Sequence, residues 1–286
     1  MCELFAMSAR LSTNVHLSLE ELARHGGETG PHRDGWGVAF MQQGDALVVR
    51  EPSAAHDSAC LAFLSQQDIS SPTVIAHIRQ ATQGPRLLRN SQPFTRELGG
   101  VVHVFAHNGM LPGIEQDRRF PARRFRPIGD TDSEHAFCAL LEGMAPLWTA
   151  GVPDLDARVG ALVAFAADLR TLGSANFIYT DGDAVFAHGH RRRNAAGEAV
   201  PPGLHVLCRT CHPGAEALNV AGLEIAHRDE GQQVALVASV PLSSERWEAL
   251  REGELFVLRE GRIVRRESPR EPDRPALAPT GGQRAR

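Results

Sequence analysis

The chain has 286 residues, of which 42% are hydrophobic and 22% charged, and this composition excludes a disordered, collagen-like or coiled-coil protein. Its 34 acidic residues outnumber its 30 basic ones, so it lacks the basic excess of a nucleic-acid-binding protein. Every basic residue is an arginine. Without lysine the chain has no Schiff-base lysine, no pyridoxal-phosphate anchor and no complete Walker A loop.

Short apolar and β-branched runs alternate with four helical patterns along the chain. This arrangement indicates a layered α+β fold. In chain order, the predicted elements are a strand at 3–8, a helix at 18–25, a glycine-rich loop to 34, a hairpin of strands at 37–41 and 46–50, a helix that Asp57 caps, strands at 73–78 and 101–106, helices at 130–141 and 156–172, strands at 176–180, 184–188, 204–208, 223–226 and 233–239, and a hairpin at 254–265 that turns at Glu260-Gly261.

The cysteines and the first residues bear on the compartment. The five cysteines are odd in number and scattered, which argues against a disulfide scaffold and for a reducing environment. The first ten residues lack the pattern of a signal peptide, and no stretch approaches the roughly 18 apolar residues of a membrane span. We therefore expect a cytoplasmic protein with neither a membrane nor a nucleic-acid partner. Segment 268–286 is rich in Pro, Arg and Gly, and we expect a disordered tail there.

Cys2 is a candidate nucleophile because it directly follows Met1. Removal of Met1 would leave a cysteine with a free α-amine, so one residue would hold both a nucleophile and a base. The reference pKa of a thiol is about 8.5 and that of an α-amine about 7.7–8.0, so the amine is matched to accept the thiol proton near neutral pH. The alternative is that Cys2 is simply an early small apolar residue.

Three other segments each fit a part of acyl-transfer chemistry. The side chain of Asn108 and the backbone N–H of Gly109 supply two donors for an oxyanion, although Asn-Gly is also a common turn. Arg79, at the end of a strand, suits a carboxylate or a surface salt bridge. The acidic segment 129–134 (GDTDSE) opens a helix, so a carboxylate there suits a substrate ammonium group or the first turn of that helix.

Taken together, six segments resemble the class II glutamine amidotransferases, which are N-terminal-nucleophile hydrolases, and in particular their stand-alone YafJ-like type. The resemblance covers residues 1 to about 265 and is most specific in the first half. The matching segments are 1–4 (MCEL), 30–37 (GPHRDGWG), 76–81 (AHIRQA), 93–98 (PFTREL), 106–109 (AHNG) and 129–134 (GDTDSE).

The resemblance implies an αββα sandwich, with two antiparallel sheets between helical layers, formed by a glutamine amidotransferase domain at 1–267. It implies no metal and no cofactor. By the same resemblance each matching residue has a role. In this comparison Cys2 is the nucleophile, Asn108 and Gly109 form the oxyanion hole, Arg79 holds the substrate α-carboxylate, Asp132 holds its α-ammonium group, Gly109 also lines the pocket, and Thr82 makes a further substrate contact.

The resemblance leaves the substrate and the acceptor of ammonia open. Glutamine or another γ-glutamyl small molecule is the expected partner, and nothing after residue 150 looks like a synthase domain, so the acceptor is water or another protein. Two alternatives remain: a hydrolase of a modified γ-glutamyl compound, as in ergothioneine biosynthesis, and a non-catalytic binding protein on the same fold. Close relatives have a histidine where Gln92 stands, and we expect this change to alter the pocket rim.

Several other residues invite a functional interpretation that we consider weaker. The run Cys208-Arg209-Thr210-Cys211-His212 fits a haem-attachment pattern, but it lacks an export signal and a second ligand pair, so we favour an ordinary strand end. We interpret Arg191-Arg192-Arg193 as a solvated hairpin tip. The remaining expectations are that His103 and His188 are satisfied strand histidines and that Cys60 and Cys138 are buried, inert thiols.

Overall fold

The computed structural model describes residues 2–17, 24–28, 30–67, 69–194, 196–210, 218–220, 223–225 and 231–269. In these residues the α-helices are α1 (Ala59–Leu64), α2 (Asp132–Met144) and α3 (Leu155–Leu172). Single turns of 3-10 or π-helix cover Arg24–Glu28, Ala55–Asp57, Leu88–Asn90, Ile114–Gln116 and Leu147–Ala150. The strands are β1 (Glu3–Leu17), β2 (Trp36–Gln42), β3 (Asp45–Glu51), β4 (Ser70–Ile78), β5 (Phe94–Leu98), β6 (Val101–Gly109), β7 (Ala175–Thr180), β8 (Val185–Gly189), β9 (Arg192–Arg193), β10 (Ala199–Val200), β11 (His205–Thr210), β12 (Leu218–Val220), β13 (Leu223–Ile225), β14 (Gln233–Ala238), β15 (Glu248–Ala249), β16 (Glu254–Arg259) and β17 (Arg262–Glu267).

Most of these strands form two antiparallel sheets. The first sheet has the order β15-β11-β14-β1-β4-β2-β3, with β13 and β12 added beside the far end of β1. The second sheet has the order β17-β16-β8-β7-β6-β5. Strands β9 and β10 form a separate two-stranded hairpin. The strands nearest the centres of the two sheets are therefore β1, β4 and β14 in the first and β7 and β8 in the second.

Three layers of apolar side chains hold the sheets and helices together. Because side chains alternate across a strand, each sheet has one face toward the other sheet and one face toward a helix. The faces between the sheets meet through residues such as Leu4, Ala6 and Ile75 in the first sheet and Ala106 and Ile178 in the second. The outer face of the second sheet packs against α2 and α3, and that of the first packs against α1.

Local side-chain contacts explain where the helices begin. The hydroxyl of Thr131 accepts a hydrogen bond from Glu134 N at the start of α2, and the Asp154 carboxylate accepts one from Ala157 N at the start of α3. Ser58, which accepts from Leu61 N, caps α1. The prediction that Asp57 caps this helix is therefore wrong by one residue, because Asp57 lies in the preceding 3-10 turn.

The predicted α+β sandwich of two antiparallel sheets between helical layers is confirmed, with α1 as the short helix over the first sheet. The predicted turn at Glu260-Gly261 is also confirmed, since both residues have positive φ angles of 49° and 74° in a two-residue hairpin loop. Strand β1 runs to Leu17, well beyond the predicted end at Ser8. Strand β5 was not predicted at all.

Two predictions fall partly or wholly outside the described residues. The predicted helix at 18–25 has only Arg24 and His25 inside them, and these belong to a π-helical turn. The predicted tail begins where β17 ends at Glu267, and apart from Ser268 and Pro269 it lies outside them. Of the helices that the structure describes, none has the length and apolar character needed to cross a membrane.

Candidate active site

The nucleophile candidate lies directly before the first strand of the first sheet. Because Glu3 pairs with Ile78 of β4, Cys2 sits beside the residues that follow β4. Its half-buried Sγ accepts a hydrogen bond from Gln80 N at 3.3 Å and lies 3.4 Å from Gln80 O. Burial raises the pKa of the Cys2 thiol, although the Gln80 N–H and the Arg79 guanidinium act in the opposite direction. The thiol is therefore protonated near neutral pH and needs a base to become a nucleophile.

The oxyanion candidates end β6, the strand next to the edge strand β5 of the second sheet. Asn108 and Gly109 are the last two residues of β6, and the Asn108 Nδ2 donates a 2.6 Å hydrogen bond to the Cys2 carbonyl oxygen. The Asn108 side chain of the second sheet thus contacts the main chain of Cys2, just before the first sheet and 106 residues away in sequence. A Cβ at position 109 would collide with the carbonyl oxygen of Ser174, so only glycine fits there.

Cys2, Asn108 and Gly109 line one cavity of about 630 Å³. Thr82 also lines it, so the structure brings four of the six predicted site residues together. A second group of lining residues is mainly apolar and consists of Met110, Pro112, Leu172, Gly173 and Ser174. The remaining side of the cavity is lined by Arg193 and Ala199, which lie opposite each other across the β9–β10 hairpin.

Arg79 does not line this cavity. It is 3% exposed, and its terminal nitrogens donate four hydrogen bonds to the main-chain carbonyls of Asp34, Gln83, Gly84 and Pro85 at 2.8–3.2 Å. These bonds use all four terminal N–H groups of the guanidinium. A role as the clamp for a substrate carboxylate would require some of them to be exchanged, and that role stays a prediction.

Asp132 is also turned away from the cavity. Its Oδ2 accepts a hydrogen bond from Leu111 N at 2.8 Å, and its Oδ1 accepts from Ser133 N at 2.7 Å. As the first residue of α2, it is placed where the exposed N–H groups of the helix favour a carboxylate. This is the structural role considered in the sequence analysis, and a contact with a substrate ammonium group likewise stays a prediction.

The described part of the cavity wall offers no side-chain base beside the thiol. None of the described residues that line it is a histidine, aspartate or glutamate. His77 and His107, the histidines nearest to the site in sequence, are fully buried and do not line the cavity: burial, with Arg79 adding to it, lowers the pKa of His77 to about 3. His107 Nδ1 lies 2.9 Å from Ser133 Oγ, and burial lowers its pKa as well. Both imidazoles are therefore neutral, and neither belongs to the cavity wall.

Gln92 supports the oxyanion strand and does not lie at the cavity rim. Its Oε1 accepts a 2.6 Å hydrogen bond from His107 N, and its Nε2 donates one of 3.1 Å to His107 O. Gln92 is 5% exposed and does not line the cavity. The expectation that this departure from close relatives alters the rim is therefore wrong, because the side chain is held against the backbone next to Asn108.

Asn176 was missed by the sequence analysis. It pairs with Asn108 across β6 and β7, and its Nδ2 donates to Asn108 O at 3.0 Å and to Arg191 O at 2.7 Å. Its Oδ1 accepts from His190 N at 2.7 Å. The fully buried Asn176 thus joins the oxyanion strand to the root of the β9–β10 hairpin. Its sequence context, a polar residue inside an apolar strand, was the available signal.

The arginine run at 191–193 is not a solvated tip. The turn of the hairpin lies beyond Arg193, and each arginine has a separate place. Arg191 Nε forms a 2.7 Å ion pair with Glu252, and Arg192 lies 3.7 Å from the Glu3 carboxylate. The third, Arg193, lines the cavity.

The other histidine and cysteine predictions have mixed outcomes. His103 and His188 are confirmed as satisfied strand histidines, for both ring nitrogens of each have partners. Cys138 is buried as expected, and burial raises its pKa to about 11, whereas Cys60 is only half-buried. Cys208 is exposed, and Cys211 and His212 lie outside the described residues. Within the described part of the chain, no three His, Cys, Asp or Glu residues are grouped to hold a metal ion.

Comparison with known proteins now identifies the family. The family model described as "Glutamine amidotransferases class-II" matches residues 1–280. The chain belongs to the class II glutamine amidotransferases. It is 34% identical to "Putative glutamine amidotransferase YafJ" of Escherichia coli (strain K12), over 92% of this chain and 100% of that protein. It is also 31% identical to uncharacterized protein MJ1515 of Methanocaldococcus jannaschii, over 92% of this chain and 71% of that protein.

Solved structures agree with this assignment. A structure titled as a predicted glutamine amidotransferase from Pseudomonas aeruginosa PA01 superimposes with a TM-score of 0.67 and 30% identity, covering 92% of this chain and 100% of the other. The glutamine phosphoribosylpyrophosphate amidotransferase of B. subtilis superimposes with a TM-score of 0.55 at 16% identity, over 93% of this chain and 49% of that one. At this identity the second likeness shows the fold alone.

Proposed function

We propose that this amidotransferase-family chain hydrolyses a γ-glutamyl amide, of which glutamine is the simplest, through a thioester on Cys2. The observation that carries the proposal is the meeting of Cys2 and Asn108 in one cavity, where the Asn108 amide reaches the Cys2 carbonyl at 2.6 Å. A nucleophile and an oxyanion donor within hydrogen-bonding reach of the same small volume are what acyl transfer requires.

The α-amine of Cys2, released by removal of Met1, serves as the base. It is attached to the same residue as the thiol, and the described cavity wall carries no other base. Burial keeps the thiol protonated, so the amine first accepts the thiol proton. An amine with a pKa of about 8 can then return that proton to a leaving group at neutral pH.

The reaction balances in two steps. In the first, the Cys2 sulfur attacks the amide carbon, an oxyanion forms against Asn108 Nδ2 and Gly109 N, and the carbon–nitrogen bond breaks. The leaving nitrogen departs as ammonia with the proton from the Cys2 ammonium group. In the second, water attacks the thioester, the amine takes its proton, and glutamate and the thiol are released. Without a bound acceptor, the net reaction is hydrolysis.

A glutaminase assay on the processed chain tests the proposal directly. Incubation with glutamine is expected to release glutamate and ammonia in equal amounts. A protein of confirmed mass without Met1 that releases neither, from glutamine or from any γ-glutamyl amide, would instead be a binding protein on this fold. The same assay on a protein that retains Met1 serves as the matched control, because that protein lacks the base.

Arg79→Lys is expected to raise KM by about tenfold while the net charge is kept, because an ammonium group cannot reproduce a bidentate contact with the substrate α-carboxylate. The four carbonyls that Arg79 now holds would also lose donors, so the Tm should fall. Steady-state kinetics and a thermal melt separate the two roles. A lower Tm at an unchanged KM would show that Arg79 only shapes the loop at 83–85.

A further inference from the structure

The cavity extends beyond the nucleophile to the β9–β10 hairpin. Arg193 and Ala199 are directly opposite each other in this hairpin, and both line the cavity. Cross-strand partners project from the same face of a ribbon, so this face of the hairpin forms the wall. Arg193 is exposed whereas Cys2 is half-buried, which places the arginine at the mouth of the cavity and the thiol deeper.

The hairpin is fixed to both halves of the catalytic framework. At its root, Asn176 donates to Arg191 O at 2.7 Å with the same amide that donates to Asn108 O. Beside it, Arg192 pairs at 3.7 Å with Glu3, the residue after the nucleophile, and Glu3 also bonds His25 at 2.8 Å. The position of Arg193 is therefore tied to the oxyanion strand and to the start of β1.

Charge and size indicate what this wall accepts. Among the described residues that line the cavity, Arg193 is the one with a charged side chain. Arg79 does not line the cavity, and its guanidinium donates to main-chain carbonyls. A cavity of about 630 Å³ is in the range that encloses a ligand well above the size of one free amino acid. An arginine at the mouth suits a planar anion such as a carboxylate.

We propose that Arg193 binds a carboxylate on the amine half of the substrate, so that the preferred substrates are γ-glutamyl-amino acids; this inference rests on the proposed function. The acyl half stays attached to the deeper Cys2 after the first step, and the amine half leaves through the mouth, where Arg193 lies. The amide carbon–nitrogen bond breaks, the amino acid departs with the proton from the Cys2 amine, and water then releases glutamate.

Three substrates show whether Arg193 contacts the amine half or the glutamyl half of the substrate. They are γ-glutamyl-alanine, its C-terminal amide and glutamine. The first two differ only in the carboxylate under test. With the processed protein, we expect kcat/KM for γ-glutamyl-alanine to exceed that for its amide by about tenfold or more, as a charge-assisted pair contributes. In Arg193→Gln the ratio should fall toward one. Arg191→Gln, which alters an arginine paired with Glu252 on the same hairpin, should leave the ratio high.

The contrary results are equally distinct. A ratio near one in the unaltered protein would overturn the inference. So would an Arg193→Gln variant, folded by thermal melt, that loses kcat/KM for all three substrates in the same proportion, because Arg193 would then contact the shared glutamyl half. Hydrolysis of glutamine with no preference for the acid would overturn the inference and leave the proposed function intact. Hydrolysis of none of the three would overturn both.

Discussion

Replacing Cys2 by alanine is expected to reduce hydrolysis of glutamine by about 10⁵–10⁶-fold, to the background rate, as removal of a catalytic nucleophile does in other hydrolases. The described cavity wall holds one thiol, and the other nucleophilic side chains on this described wall are the hydroxyls of Thr82 and Ser174, with no histidine, aspartate or glutamate on the same wall. The measurement is the release of glutamate from glutamine by the purified variant, with its fold checked by thermal melt.

Covalent labelling provides the control for this result. A glutamine analogue with a chloroketone in place of the amide should label Cys2 and none of the other cysteines. Cys138→Ala and Cys208→Ala are matched controls, since one thiol is buried with its pKa raised to about 11 and the other is exposed on β11. Activity that survives in Cys2→Ala and disappears in Cys208→Ala would contradict the assignment of the nucleophile.

Asn108→Ala is expected to lower kcat by about 10²–10³-fold with little change in KM, the usual effect of losing one oxyanion donor. The carbonyl oxygen of the substrate gains its full charge only in the tetrahedral state, so the amide of Asn108 stabilises that state far more than the bound substrate. Gly109 cannot be tested in the same way, because any side chain there would strike the Ser174 carbonyl and displace the strand.

The Asn108 result depends on controls for folding and processing. The variant must lack Met1 by mass and melt at a similar temperature, since Asn108 also donates to Cys2 O. Asn194→Ala removes an exposed asparagine that bonds Glu198 within the hairpin, and it should keep the full rate. If processed, folded Asn108→Ala turns over glutamine at the unaltered rate, the Asn-Gly pair is a turn and the oxyanion hole lies elsewhere.

Much of the fold was accessible from the sequence because most central strands are largely apolar and β-branched. Strand β7, for example, is buried at every position. The loop between β16 and β17 is Glu260-Gly261, and a glycine in a two-residue loop is a strong sequence signal for a hairpin turn. Strand β5 escaped because it lies at the edge of the second sheet, where Phe94 and Leu98 are buried but Glu97 faces solvent. An edge strand with one partner has a mixed pattern that resembles a loop.

Some site residues could likewise be predicted from the sequence, and others could not. Cys2, Asn108 and Gly109 could be recognised because their chemistry resides in the residue itself and in its immediate neighbours. The roles of Gln92 and Asn176 arise from contacts with residues 15 and 68 positions away, which exist only once β6 has its partners. The place of Arg193 on the cavity wall likewise depends on how the hairpin is anchored, so no local pattern could distinguish it from Arg191 and Arg192.

The central claim, that the α-amine of Cys2 is the base for its own thiol, is tested most directly with a fusion protein. An N-terminal extension is attached so that a specific protease cuts immediately before Cys2, and glutaminase activity is followed with intact mass during cleavage. We predict no activity before cleavage and a rate that rises in proportion to the fraction of chains beginning with Cys2, with a Cys2→Ala fusion silent throughout. Full activity in the uncleaved fusion, where that nitrogen is an amide, would contradict the claim.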